Sequence, residues 1–195
     1  MNEAQILAEA LREINEEYTP LSEEARMALA DDFRVKSYPR KSVIVSEGQY
    51  SDTLFYIVKG SVHAYYLKEG QEITDWFAFD GDFICAINSY FQHVPSPHYI
   101  EALEDVVCLE MPKHRMDALC DQHMSIQRLA LVGTTKTMLA LQQRVVSLQF
   151  ENAKSKYQSL IELRPDIENR VPLTKIASFL GITKETLSRI RAQKN

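Results

Sequence analysis

Apolar residues at Ile6, Leu7, Ala10, Leu11 and Ile14 have the spacing of one helical face, and Pro20 ends that run. Ser22-Glu23-Glu24 predicts a second helix reaching about Phe33, with Ser22 as its cap. From Val35 the period shortens to that of a strand. Val43 and Val45, Phe55 and Ile57, then Val62, Ala64 and Tyr66 recur at alternate positions. Gly48, Gly60, Gly70 and Gly81 punctuate these runs about every ten residues, as the turns of a sandwich or barrel do. Residues 95–111 predict further strands. After Pro112 the helical period returns and runs to about Phe150. Residues 151–171 are more broken, with Pro165 as punctuation.

The segment from Arg170 to Asn195 carries two short helices. Ile176, Ala177 and Leu180 share one face, Gly181 breaks the first helix, and Ile182 plugs the turn. Thr183 caps a second helix whose apolar stripe continues through Leu187 and Ile190. This is the pattern of a helix-turn-helix, whose second helix presents its N-terminal residues to the DNA major groove. Lys184, Glu185, Ser188 and Arg189 are left on its outer face. Arg pairs bidentately with guanine O6 and N7, Glu accepts from cytosine N4, and Lys or Arg neutralises phosphate. Thr174 and Thr183 are candidate phosphate contacts.

The helix between about Met124 and Phe150 is apolar on more than one side, so it must bury more than one side. Ile126, Leu129, Ala130, Gly133, Thr137 and Ala140 form one stripe, whereas Leu131, Met138, Leu141, Val145 and Leu148 occupy other faces. One face is expected on the β-rich region. The stripe containing small Ala130, Gly133 and Ala140 is expected to accept a symmetry-related helix, because two-fold proteins match symmetric DNA sites.

Charge divides the chain of 195 residues. Residues 1–112 hold 8 Lys and Arg against 20 Asp and Glu, whereas residues 113–195 hold 14 against 7. The basic part contains the helix-turn-helix, as a DNA-facing surface requires. No apolar run approaches the roughly 18 residues of a membrane span. The acidic, amphipathic start is unlike a signal peptide, so cytoplasmic residence is expected. Cys85, Cys108 and Cys120 form no metal-like spacing and read as small apolar residues. Asp31-Asp32, Asp80 with Asp82, and Glu104-Asp105 read as turn and cap residues. No phosphate loop, nucleophile elbow or H-E-x-x-H motif occurs, and no enzyme, metal site or cofactor is expected.

Three segments resemble the Crp/Fnr superfamily of bacterial transcription regulators. Gly48 to Val62 (G-Q-Y-S-D-T-L-F-Y-I-V-K-G-S-V) looks like the family's cyclic-nucleotide-binding-domain signature. Asp80-Gly81-Asp82-Phe83-Ile84 is similar to the opening of its ligand cassette. Thr183 to Arg189 (T-K-E-T-L-S-R) resembles its recognition helix. The resemblance covers nearly the whole chain and implies an α+β fold in three parts. Residues 1–123 would form an effector domain with N-terminal helices and a jelly-roll double-stranded β-helix. Residues 124–150 would form a dimerisation helix, and 151–195 a helix-turn-helix domain lacking most of the family's β-hairpin wing. It also implies a homodimer on an inverted-repeat operator, with Thr174, Thr183, Lys184, Glu185, Ser188, Arg189 and Arg191 at double-stranded DNA. Either the wing is absent or the basic tail, Arg191 and Lys194, contacts phosphate alone. RNA polymerase is a candidate further partner.

The cassette departs from the family. Members that bind cyclic nucleotides supply a Glu for the ribose and an Arg followed by Ser or Thr for the phosphate. Here Ala86 falls near the Glu position, and Gln92 to His98 contains no Arg or Lys. A buried phosphate needs a cation or a nest of donors. Cyclic AMP in the usual mode is therefore disfavoured, and a pocket around Phe83, Ile84, Ala86, Ser96 and His98 is left for a less charged metabolite or for none. Iron–sulfur sensing is disfavoured because the N-terminus has no cysteine. No histidine spacing favours a haem ligand. The competing readings are a ligand-sensing module whose helical tail docks on a protein, and a true cyclic-nucleotide sensor.

Overall fold

The structure is a computed structural model that describes residues 2–193. Helix α1 (Glu3–Glu17) opens with a reciprocal cap. The Asn2 side chain accepts the Gln5 N–H at 2.9 Å, and the Gln5 side chain accepts the Asn2 N–H at 3.1 Å. Helix α2 (Glu23–Asp32) starts where expected, with Ser22 Oγ accepting the Ala25 N–H at 3.2 Å.

Eight strands follow: β1 (Arg34–Tyr38), β2 (Val43–Val45), β3 (Thr53–Lys59), β4 (Val62–Lys68), β5 (Gln71–Ala78), β6 (Phe83–Ile84), β7 (Tyr99–Ala102) and β8 (Val106–Pro112). They form two four-stranded antiparallel sheets, in the orders β1-β8-β3-β6 and β2-β7-β4-β5. The two inner faces enclose Val45, Phe55, Ile57, Val62, Ala64, Ile100, Val106 and Cys108. The turn at Gly60 admits only glycine. Its φ is +105°, and a Cβ there would lie 2.6 Å from the Asp105 carbonyl oxygen. Helix α3 (Ile87–Gln92), between β6 and β7, has no apolar periodicity long enough to have revealed it.

The helical stretch after Pro112 is two helices, α4 (Lys113–Gln122) and α5 (Met124–Phe150). His123 separates them in extended conformation, with φ −129° and ψ 107°. Helices α1, α2, α4 and the start of α5 pack on Tyr56, Leu109 and Met111 of the first sheet. Helices α6 (Ala153–Leu163), α7 (Ile167–Arg170), α8 (Leu173–Leu180) and α9 (Lys184–Ala192) follow. They share a core with Phe77, Phe79 and Leu103 of the β region, so the C-terminal helices are docked on the roll. Among the described residues no helix is long and apolar enough to cross a membrane.

In helix α5 the residues of the expected seam are divided between buried and accessible positions. Ile126 is 0% and Leu129 3% exposed, both inside the core with Met116 and Leu119. Met124, Leu131, Met138 and Val145, spaced seven apart, are exposed instead, Leu131 at 67%. The apolar surface left uncovered within the chain includes this heptad row together with Leu139, Val146 and Leu148, next to the partly buried Leu141.

Candidate nucleic-acid interface and effector cavity

Helices α8 and α9 meet through Ile176, Ala177, Leu180 and Leu187, all buried. Gly181 joins them at φ +66° and ψ 34°, a left-handed cap that suits glycine. A Cβ at Gly181 would sit 3.3 Å from Leu148 Cδ2, so the turn also rests on α5. Thr183 Oγ1 accepts the Thr186 N–H at 3.1 Å and caps α9. That hydroxyl is thus engaged in the cap, although Thr183 is exposed.

Burying Leu187 turns Lys184, Glu185, Ser188 and Arg189 outward, and all four are exposed. Among the described residues, the side chains of Lys184, Glu185 and Ser188 form no hydrogen bond or ion pair within the chain. Arg189 makes one long contact, Nη2 to Thr186 Oγ1 at 3.4 Å. Thr174 is exposed in the first turn of α8. Arg191 differs: its Nε lies 2.6 Å from Glu168 Oε1, tying α9 to α7. Lys194 lies outside the described residues.

The basic charge of the rear half is not all turned to solvent, which narrows the expectation from composition. Arg164 pairs with Asp82 at 2.8 Å, and Lys175 with Glu72 at 2.6 Å. Arg170 bridges Asp80 and Glu104. Arg144 of α5 donates to the Phe179 carbonyl at 2.6 Å and to the Thr74 carbonyl at 3.3 Å. Its guanidinium also stacks 4.1 Å from the Phe179 ring centroid. Ser178 Oγ accepts the Thr74 N–H at 2.9 Å. These contacts clamp α8 along β5, and the sequence offered no signal that would pair these residues across the chain. Among the carboxylates singled out from the sequence, Asp80 accepts from Gly60 N, Asp82 from Phe79 N and Asp105 from Arg40 N.

A cavity of about 400 Å³ lies between strands of both sheets, α3, α4 and α5. Phe83, Ile84 and His98 line it, as do Ala130, Gly133 and Thr137, which had been assigned to the dimer seam. Ala86 is fully buried at the start of α3. Ser96 is also buried, its Oγ donating to the His98 carbonyl at 2.7 Å and accepting from the His98 N–H at 3.3 Å. Ala140 is exposed on α5. Three charged side chains line the cavity: Asp75, Lys113 and Asp117. Lys113 Nζ is held 2.7 and 2.8 Å from the two Asp117 oxygens. Burial pushes the Cys85 thiol up to about 12, and Cys108 is likewise inert. Among the described residues no group of His, Cys, Asp and Glu is arranged to hold a metal.

The architecture is a two-sheet roll, a long helix and a helix-turn-helix docked on the roll. Residues 35–123 match the family described as the cyclic nucleotide-binding domain. Over 168 residues the chain is 24% identical to the cAMP-activated global transcriptional regulator CRP of Escherichia coli, covering 80% of each chain. It superposes on FixK2 from Bradyrhizobium japonicum with TM-score 0.68 and 18% identity, covering 83% of each chain. It superposes on a CooA variant from Carboxydothermus hydrogenoformans with TM-score 0.69 and 21% identity, covering 88% of this chain and 80% of that one. These matches give residues 35–123 the likeness of a cyclic nucleotide-binding domain and show a fold shared with FixK2 and the CooA variant over most of the chain.

Proposed function

We propose that this chain is a sequence-specific, DNA-binding regulator of transcription that works in the cytoplasm as a homodimer on an inverted repeat, and that cyclic AMP does not control it. The observation that carries this reading is the free outer face of α9. Lys184, Glu185, Ser188 and Arg189 project from a capped helix whose other side is anchored by Leu187. Arg189 is assigned to guanine, Glu185 to cytosine, and Lys184 to base or phosphate. The heptad row Met124, Leu131, Met138 and Val145 supports pairing of α5 with a second copy, which would set two α9 helices on successive half-sites. Against cyclic AMP stand Ala86 in place of an acid, a cavity without arginine, and a lysine already neutralised by Asp117.

Selection of bound duplexes from a random library, with and without cyclic AMP, tests the proposal. An inverted repeat enriched without nucleotide is the expected outcome. Enrichment only with cyclic AMP would overturn the cavity reading. No enrichment under either condition would point to a missing effector or to a protein partner for the helix-turn-helix, and specific capture of a protein by the helical tail would overturn the DNA reading.

A further inference from the structure

The roughly 400 Å³ cavity is walled mainly by Trp76, Phe83, Ile84, Tyr90, Phe91 and Met116. One neutral polar group in it stands out. His98 is 3% exposed, and neither of its ring nitrogens has a hydrogen-bond partner. The Tyr66 ring meets its imidazole edge-on at 5.4 Å, and Ser96 holds its backbone from both sides. Burial lowers the His98 pKa, an effect the nearby Asp75 only partly offsets, so the ring is neutral at pH 7. A neutral imidazole has one N–H donor and one lone pair. Neither has a partner at the wall of a mainly apolar cavity, and a buried polar group without a partner is costly.

The same walls say what does not fit. Lys113 is compensated by Asp117, and Asp75 adds a further negative charge. An anion would enter without a free cation to meet it. We propose that the cavity takes an uncharged, largely apolar small molecule bearing a single hydroxyl or amide group, and that His98 recognises that group. Because Ala130, Gly133 and Thr137 of α5 line the space, such a molecule would touch the helix that carries the exposed heptad row. The proposal deepens the reading of this domain as an effector domain. Its test measures binding without DNA, so the two can fail separately.

The test uses the full chain and its single tryptophan, Trp76, which lines the cavity. Naphthalene and 1-naphthol, which differ by one hydroxyl, are titrated against selectively excited Trp76 emission. Saturable quenching by both is expected, with 1-naphthol about fivefold tighter, the worth of one net hydrogen bond. In His98→Phe the preference for 1-naphthol should vanish while naphthalene still binds. In Gly133→Leu, which places a side chain where a Cβ meets nothing within 4 Å, binding of both should be lost. Absence of saturable quenching in the unmodified chain would overturn the proposal. So would equal affinity for the two probes, or displacement of 1-naphthol by equimolar cyclic AMP.

Discussion

Lys175 Nζ lies 3.0 Å from His63 Nε2, joining the first helix of the helix-turn-helix to a fully buried imidazole on β4. Burial, and then the Lys175 charge, lower the His63 pKa from 6.5 to about 3, so the neutral ring accepts from the ammonium. The Glu101 carboxylate at 3.8 Å and Glu72, which pairs with Lys175, complete the charged surroundings. The unfolded chain takes up this proton more readily than the folded one. His63 therefore contributes its full stability above about pH 6.5 and loses it as the pH falls toward 3. The slope for one such group is at most about 1.4 kcal/mol per pH unit. Thermal unfolding across that window should show it, and His63→Phe, a ring suited to the stack with Tyr65, should flatten it.

Arg144 joins α5, α8 and β5 through two carbonyls and the Phe179 ring. Arg144→Ala should cost about 1–3 kcal/mol, the range for hydrogen bonds from a charged donor plus ring stacking. Hydrogen exchange should then quicken along α8 and β5 while the β2–β7 pairing keeps its protection. Uniform quickening across the whole chain would mean that Arg144 serves global stability rather than the clamp.

Arg189 and Arg191 are two positions apart on α9 and should behave oppositely. Arg189→Ala is expected to cost about 1–3 kcal/mol of DNA affinity and to relax selection at one base pair per half-site. Arg191→Ala removes the ion pair with Glu168, a loss of about 0–1 kcal/mol in stability, and should leave the selected sequence unchanged. Sequencing of selected duplexes with each variant separates the two roles.

On α5, Leu131→Glu puts a charge into the exposed heptad row and should shift the proposed dimer to monomer in sedimentation, with the thermal midpoint of the monomer little changed. Ile126→Ala should do the reverse. It opens space in the chain's own core and should cost about 2–5 kcal/mol of folding stability, without acting through the seam. Dissociation by Ile126→Ala at full stability would restore the seam first inferred from small residues.

Local chemistry was legible where one residue acts on its near neighbours. Ser22 and Thr183 cap because their hydroxyls reach a backbone N–H three residues on, and Gly181 turns because its φ is positive. Period-two alternation and spaced glycines were enough for the strands of a roll. The outer face of α9 was legible for the same reason, since Leu187 and Ile190 set which side is turned inward. In helix α5 two apolar stripes on one helix are equivalent in the sequence until something packs on one of them. The core took Ile126 and Leu129, and the roll took Ala130, Gly133 and Thr137 as the cavity wall.

Charge was read correctly in amount and incompletely in destination. Composition along the chain cannot tell a phosphate-facing arginine from one paired with an acid more than 60 residues away, as Arg170 is with Glu104. The sequence by itself determined the succession of helices, roll strands and helix-turn-helix, the caps and turns, the outward face of α9 and the lack of an arginine between Gln92 and His98, because each depends on residues within a few positions. Only the tertiary structure decided which α5 face is free, which cations are already neutralised, and that His98 stands unpartnered in an apolar cavity. Those outcomes depend on surfaces brought together from distant parts of the chain, where burial and pairing are set by the neighbours that folding supplies.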